Sequence, residues 1–482
     1  MLLAGATLAL GNEPSVLNAC VRLGIWAVFL CLVIGPNFLW KPGPSSWFVI
    51  FHFVSSGSWL LFYISGVWFF QGTTSLARVV GSEHSQLGFE VATGSFVFLA
   101  IAWSVVRLFG PASIFDVREN AVDPPLDLSH FPDVTRWGIV GVGALSAIVG
   151  LYFHHLPGAL IQPARLFSYF FPACVAIQVL MSADHGPFLV RFRWPITLTL
   201  VYGVFAFAGS GLKSQLFFKV LYLMWLIGGQ HPSLRKKSLV GLFGVSVAFI
   251  LLLPAFQAAK DRFAATGSRA DVMDTLIGGI DEIFSSDQSE ATFRGKPWAE
   301  GTWEYFGNRL CMANMTRKYL NRYGSRPLGA ESIETAFLTA VPRIIDPTKI
   351  STDQYYNDLA RNSGIGNYED RKTSRKPTFM DESIIVWGRS GFLVGGGVFG
   401  VFLLILEWLA FQVPKIESTR IVLRFTWLSF GTLPYFGIIF GSISYCILFS
   451  VITIVPGCSW LWLNRHNQGA MSVEEDVDHR NE

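Results

Sequence analysis

Apolar runs of about 15 to 28 residues alternate with short polar breaks along most of this chain. A helix that crosses a bilayer needs roughly 20 mostly apolar residues. On that criterion the pattern predicts spans at Val21–Trp40, Ser46–Phe70, Val91–Phe109, Trp137–Phe153, Leu166–Met181 and Trp194–Ala208. The series continues with Gln215–Gly229, Leu239–Phe256, Ile384–Phe411, Leu423–Phe440 and Ser442–Leu463. The expected fold is therefore all-α: a polytopic integral membrane protein of about eleven transmembrane helices. The apolar opening MLLAGATLAL has no basic start, and it reads as a pre-helix or interfacial piece rather than a signal peptide.

One polar stretch breaks the pattern. From about Lys260 to Asp381 the chain runs on the order of 120 residues without a span, against about 4–6 for an ordinary connection. Aromatics occur throughout it (Trp298, Trp303, Tyr319, Tyr323, Tyr355 and Tyr356 among them), and helical periodicity recurs at Asp271–Phe284, Trp303–Tyr323 and Ala330–Ala340. An ordered, partly helical loop is expected. The third of these helices stops before Pro342, because the residue ahead of a proline is driven out of helical conformation. Four units follow: membrane helices over 1–257, the long loop over 258–381, membrane helices over 382–464 and a tail over 465–482.

Charge sets the orientation. Arg235-Lys236-Lys237, Arg191 with Arg193, and Lys415 with Arg420 and Arg424 fall in short loops. Basic loops stay cytoplasmic, which puts the long loop outside and the C-terminal tail inside. Composition agrees with the bilayer as solvent: 51% of the 482 residues are hydrophobic and only 15% are charged. The net charge of +3 is too small to imply nucleic acid. The six cysteines are scattered and form neither a disulfide framework nor a CxxC metal site.

The candidate chemistry is cationic. Lys213 lies between two spans, Arg262 and Arg309 in the loop, Arg343 and Lys349 in AVPRIIDPTK, and Arg389 in ESIIVWGRSG. Gathered on the outer face, these suit a phosphate or diphosphate, since the guanidinium fork pairs with phosphate oxygens and lysine adds a mobile charge. Each has a plainer reading. Arg343 caps the preceding helix, Lys213 snorkels, and Arg389 pairs with Glu382. Arg317, Lys318, Arg322 and Arg326 read as a solvated helix face. Lys219 and Glu407 fall within expected spans, where ionisable groups are costly and face a cavity or a partner. Glycines 388, 391, 395, 396, 397 and 400 fit close helix packing.

Other chemistries fare worse. No Walker loop, GxGxxG, HExxH or GxSxG stands in a usable context. The Asp476-Val477-Asp478 triplet sits in an acidic tail, and no histidine lies between His231 and His466, which removes a histidine base or histidine-bound metal from the loop.

The stretches GLKSQLFFKVLYLMWLIG, YFGNRLCMANM, AESIETAFLTAVPRIIDPTKIS and MDESIIVWGRSGFLVGGGVFGVFL occur in an order that resembles the O-antigen polymerase-like family of repeat-unit polymerases. The resemblance covers the second half of the chain, from Gly211 onward. It implies a bacterial polysaccharide polymerase acting on undecaprenyl-diphosphate-linked oligosaccharides at the outer face of the inner membrane. Membrane lipids, and a chain-length regulator with other export proteins, are the implied partners. On that reading Arg343, Glu382 and Arg309 serve catalysis. Lys213, Arg343, Lys349, Arg262 and Arg389 hold the diphosphate. Neither cofactor nor metal is required, because the donor is already activated. Glu382 or Asp381 is the general base, with Asp346 as a lesser alternative. A ligase-like glycosyltransferase is the nearest rival; the loop of that family resembles one that uses a histidine, and this loop has none. A transporter or flippase of lipid-linked oligosaccharide is the other, against which stands the lack of an internal repeat.

Overall fold

A computed structural model describes residues 2–33, 52–68, 82–110, 133–152, 170–182, 186–209, 213–248, 313–329, 331–335, 352–365 and 377–411, with a few shorter pieces between them. These residues are nearly all helical. In chain order the helices are α1 (Leu2–Ala9), α2 (Val16–Val33), α3 (Ser58–Trp68), α4 (Ser82–Phe109), α5 (Asp133–Tyr152), α6 (Phe170–Leu180) and α7 (Phe188–Arg191). They continue with α8 (Arg193–Gly209), α9 (Lys213–Gln230), α10 (Ala313–Tyr323), α11 (Thr352–Asn362), α12 (Phe379–Trp387) and α13 (Gly391–Phe411). A further helix runs over 235–248. The one described sheet is an antiparallel hairpin, β1 (Thr292–Phe293) with β2 (Lys296–Pro297).

The expectation of about eleven membrane-spanning helices fails. Among the described residues only two helical paths are long and apolar enough to cross a membrane, Gln86–Phe109 with 24 residues and Phe379–Ile405 with 27. The apolar runs do form helices, several over their whole expected length (Trp194–Ala208 within α8, Gln215–Gly229 within α9), but few described helices combine the length and hydropathy of a span. Helices α3 and α6 have 11 residues each. At a rise of about 1.5 Å per residue they reach roughly 17 Å, short of a hydrocarbon core of about 30 Å. A π turn at Phe53–Gly57 interrupts the expected Ser46–Phe70 span. The expected spans Leu423–Phe440 and Ser442–Leu463 lie outside the described residues.

Two hydrophobic cores organise the helices. The first joins α1 to α4 with α12 and α13, and its centre is aromatic: Trp26, Phe89, Phe96, Phe98, Phe379 and Phe399 are all buried. Helices α4 and α13 pack closely because glycine removes the side chains between them. A Cβ on Gly396 would lie 2.7 Å from the Phe98 carbonyl, and one on Gly400 2.9 Å from that of Ala102. Small residues at such a seam let backbones approach. The glycine-rich stretch is thus a packing device at these positions, whereas a Cβ on Gly397 would meet nothing within 4 Å. The opening segment, expected as a pre-helix, is α1, with Ala4 and Thr7 buried.

A buried arginine ties the start of this core. Arg22 of α2 is 1% exposed, lies over the Phe89 ring, and donates to Asn18 Oδ1 at 2.8 Å, to Thr93 Oγ1 and to the Gly11 carbonyl. A cation this deep is tolerated only when its donors are satisfied in this way.

The second core joins α5, α6, α8 and α9 around Phe171, Val175, Phe192, Leu198 and Leu226. Arg136 Nη2 donates to the Met181 carbonyl at 2.8 Å, and Gln178 Nε2 returns a bond to the Arg136 carbonyl at 2.9 Å. Ser146 Oγ accepts from the Phe171 amide and donates to the Phe167 carbonyl, 2.8 Å each. Lys219 of α9 lies 5.7 Å from the Phe171 ring and 5.8 Å from that of Tyr202, a cation–π pairing rather than exposure to lipid.

Candidate functional site

Helix α10 has two unlike faces. Thr316, Tyr319, Leu320 and Tyr323 follow the i, i+3, i+4, i+7 rhythm of a buried stripe, and all four are buried. Arg317, Lys318, Asn321 and Arg322 occupy the rest of the cylinder. The buried stripe lies against α12 and α4. Helix α11 completes the packing with Tyr356, Leu359 and Ala360, and Ile365 and Ile385 close the cluster.

Beneath the buried stripe sit two carboxylates. Asp381 caps α12: its Oδ2 accepts from the Thr378 amide at 2.8 Å, while its own amide donates to Thr378 Oγ1 at 3.1 Å. Thr316 of α10 adds a side-chain hydrogen bond to the same carboxylate. Glu382 is 2% exposed and its Oε1 accepts from the Tyr356 hydroxyl at 3.3 Å. Burial pushes the Tyr356 hydroxyl well above the usual tyrosine pKa, and the nearby Glu382 charge pushes it further. Tyr319 is raised well above its usual value too, by burial first and then by Asp381. Its hydroxyl has no hydrogen-bond partner among the described residues. The expected general base is therefore a shielded group, held by a tyrosine and closed off from solvent by α10 and α11.

The other face of α10 opens on a cleft of about 680 Å³. Arg317, Lys318, Arg322 and Arg326 line it, with Ser325 and the end of α11, and no carboxylate is among its described lining residues. Helix α11 ends in a Schellman turn: Gly364 takes φ +68°, its amide donates to the Arg361 carbonyl at 2.9 Å, and the Ile365 amide donates to the Ala360 carbonyl at 2.9 Å. Lys318 Nζ donates to the Gly364 carbonyl across the cleft.

Arg389 stands beside this cleft. It occupies a single 3-10 turn, Gly388–Ser390, between α12 and α13. Its amide donates to the Gly324 carbonyl at 3.1 Å, and its guanidinium grips Glu90 of α4, with Nε 2.5 Å from Oε1 and Nη2 3.4 Å from Oε2. Its ion-pair partner is thus Glu90, not the Glu382 suggested by sequence proximity. The break itself needs glycine at Gly388, where φ is +63° and a Cβ would lie 2.6 Å from the Gly324 carbonyl.

Of the cations expected to hold a diphosphate, Arg389 is described with its side chain, and Lys213 opens α9 with a side chain outside the described atoms. Arg343, Lys349, Arg262 and Arg309 lie outside the described residues, as does Asp346. Sequence reasoning set aside Arg317, Lys318, Arg322 and Arg326 as a solvated face, yet these are the cations that gather around a cavity.

The family model of a domain of unknown function, DUF8712, matches residues 139–416. The chain belongs to this family. The DUF8712 segment holds α10 to α13 and with them the four cleft cations, Asp381, Glu382 and Arg389. Two residues at the cleft and its edge, Leu87 and Glu90, come from α4 outside the matched segment. No curated protein and no solved structure matches the chain.

Proposed function

We propose that this protein is a glycan polymerase at the outer face of the bacterial inner membrane. It transfers a glycan from a polyprenyl-diphosphate carrier onto a lipid-linked repeat unit. The observation that supports the reading is the seating of one polar, ordered unit on two apolar helical paths. Helix α10 packs against both α4 and α12, which belong to the two paths long and apolar enough to cross a membrane. A lipid-linked glycan has the same two parts, a hydrocarbon chain and a charged, sugar-bearing head. Basic residues on α10 lie where such a head meets the protein.

The chemistry follows from the substrate class. The bond between the anomeric carbon of the donor glycan and its diphosphate breaks, and its electron pair leaves with polyprenyl diphosphate. The acceptor hydroxyl oxygen forms the new glycosidic bond and gives its proton to a base. Negative charge grows on the departing diphosphate, and fixed cations lower the barrier by stabilising it. Glu382 in its described position is a positioning group for Tyr356 and α12.

Deletion of the gene tests the reading. Surface glycan reduced to single repeat units supports it. Chains of normal length would overturn it, and loss of all surface glycan with intermediates held inside the cell would assign the protein to transport instead.

A further inference from the structure

We infer that the cleft between α10 and the end of α11 is a binding site for a diphosphate or for two closely spaced phosphates. The inference stands apart from glycan transfer: it concerns what the cleft holds, whatever reaction follows.

Four cations line one cavity that has no acidic residue among the described residues of its wall. Like charges three or four residues apart on a helix repel, as Lys318 and Arg322 do here, so clustering them costs stability unless something offsets it. The plain alternative is that they serve the carbonyl ends of helices, which favour cations. For α11 that alternative covers one residue. The carbonyls of Leu359, Ala360 and Arg361 are already taken by the amides of Ser363, Gly364 and Ile365, which leaves the Gly364 carbonyl to Lys318. For α10 the same alternative suits Arg322, in its last turn, and Arg317 has an interaction of its own. Arg322 and Arg326 have no ion-pair or hydrogen-bond partner among the described residues. Two described acids, Asp358 and Glu90, are engaged with other arginines: Asp358 pairs with Arg361 at 3.0 Å and Glu90 with Arg389 at 2.5 Å.

Size and surroundings narrow the ligand. About 680 Å³ lies within the range of roughly 300–1,000 Å³ for small-ligand sites. Asn321, Ser325 and Asn362 line the wall beside the cations. The guanidinium forks of Arg322 and Arg326 suit a polyanion with several oxygens better than a single carboxylate. The shared chemistry is a diphosphate, whether it belongs to a lipid head or to a soluble molecule.

The test uses the full chain purified in detergent. Binding of inorganic pyrophosphate is measured by calorimetry, and binding to phosphatidylcholine vesicles by flotation, with and without polyprenyl diphosphate. Three proteins are compared with wild type: Arg322→Gln/Arg326→Gln, the charge-preserving Arg322→Lys/Arg326→Lys, and Lys236→Gln as a remote control. Arg322 and Arg326 are both exposed, and unchanged circular dichroism and Tm establish that the variants fold. Saturable pyrophosphate binding that weakens at least tenfold in the glutamine variant, survives in part in the lysine variant and is unchanged in the control supports a soluble source. Vesicle binding with that same pattern, without pyrophosphate binding, supports a lipid head. Equal binding by wild type and the glutamine variant, or no binding of either probe by wild type, overturns the site. Normal chain lengths after gene deletion would leave this result untouched, and the reverse holds as well.

Discussion

Arg389 and Glu90 are separated by 299 residues in sequence and joined by a hydrogen-bonded ion pair, Nε to Oε1 at 2.5 Å. The pair fastens the break between α12 and α13 to α4, beside the cationic cleft. It is also where two roles for Arg389 part. As a tie it does what Glu90 does, while as a phosphate contact it does more. The Arg389 side chain is 58% exposed, so the pair contributes only about 0.2–1 kcal/mol to stability. Arg389→Ala and Glu90→Ala should each lower Tm slightly, and a double-mutant cycle should give a coupling within that range. If Arg389 touches substrate, Arg389→Ala shortens the glycan and Glu90→Ala does not. Equal effects of both on chain length would confine Arg389 to the tie.

Gly388→Ala should destabilise the protein by about 2 kcal/mol, because a left-handed φ and a close carbonyl both exclude a side chain. Gly397→Ala, where a Cβ meets open space, should be neutral or slightly stabilising through helix propensity. Denaturant titration of the two variants checks the contrast, and equal midpoints would contradict the packing described for this stretch.

Two tyrosines on the carboxylate cluster should respond in opposite directions. Tyr356→Phe takes a donor from buried Glu382 and should cost about 1–3 kcal/mol. Tyr319→Phe removes a hydroxyl that has no partner among the described residues, so it should be neutral or stabilising. Thermal unfolding of both variants decides, and a larger loss for Tyr319→Phe would contradict the assigned contacts.

The same residues predict a pH dependence. In the folded protein the Tyr319 and Tyr356 hydroxyls titrate well above the usual value of 10. The neutral tyrosine is therefore the form that folding favours. This contribution is fully present below about pH 10 and is lost as pH rises through the folded-state values. Ultraviolet titration should show these two phenolates appearing only with unfolding. Their appearance near pH 10 in folded protein would contradict the burial.

Ser325→Cys offers a check on sidedness. The residue is exposed in the cleft wall. A membrane-impermeant maleimide should label it in cells whose inner membrane is intact once the outer barrier is opened. Labelling only after the inner membrane is permeabilised would place the cleft on the cytoplasmic side.

The helices were legible in the sequence and their fate was not. Apolar runs mark where helices form, since every run within the described residues is helical at least in part. Whether such a run forms one regular helix depends also on local geometry, as at the π turn of Phe53–Gly57. A window over hydropathy does not see that. The helical rhythm in the long loop pointed to α10, while α11 went unread although Tyr355, Tyr356, Leu359 and Ala360 carry the spacing of a buried face. The site divided in the same way. Arg389 stood out because it sits at the mouth of a glycine-rich helix. The four cleft cations did not, because a charged helix face in sequence looks alike whether it meets water or a cavity. The partner of Arg389 could not be read at all, since nothing local connects positions 90 and 389.

The most direct measurement supplies purified protein with lipid-linked repeat units extracted from the deletion strain and follows the products by gel and mass. The account predicts a ladder of longer lipid-linked glycans with release of polyprenyl diphosphate, and loss of the ladder in Arg322→Gln/Arg326→Gln. Repeat units recovered unextended by folded wild-type protein would contradict it.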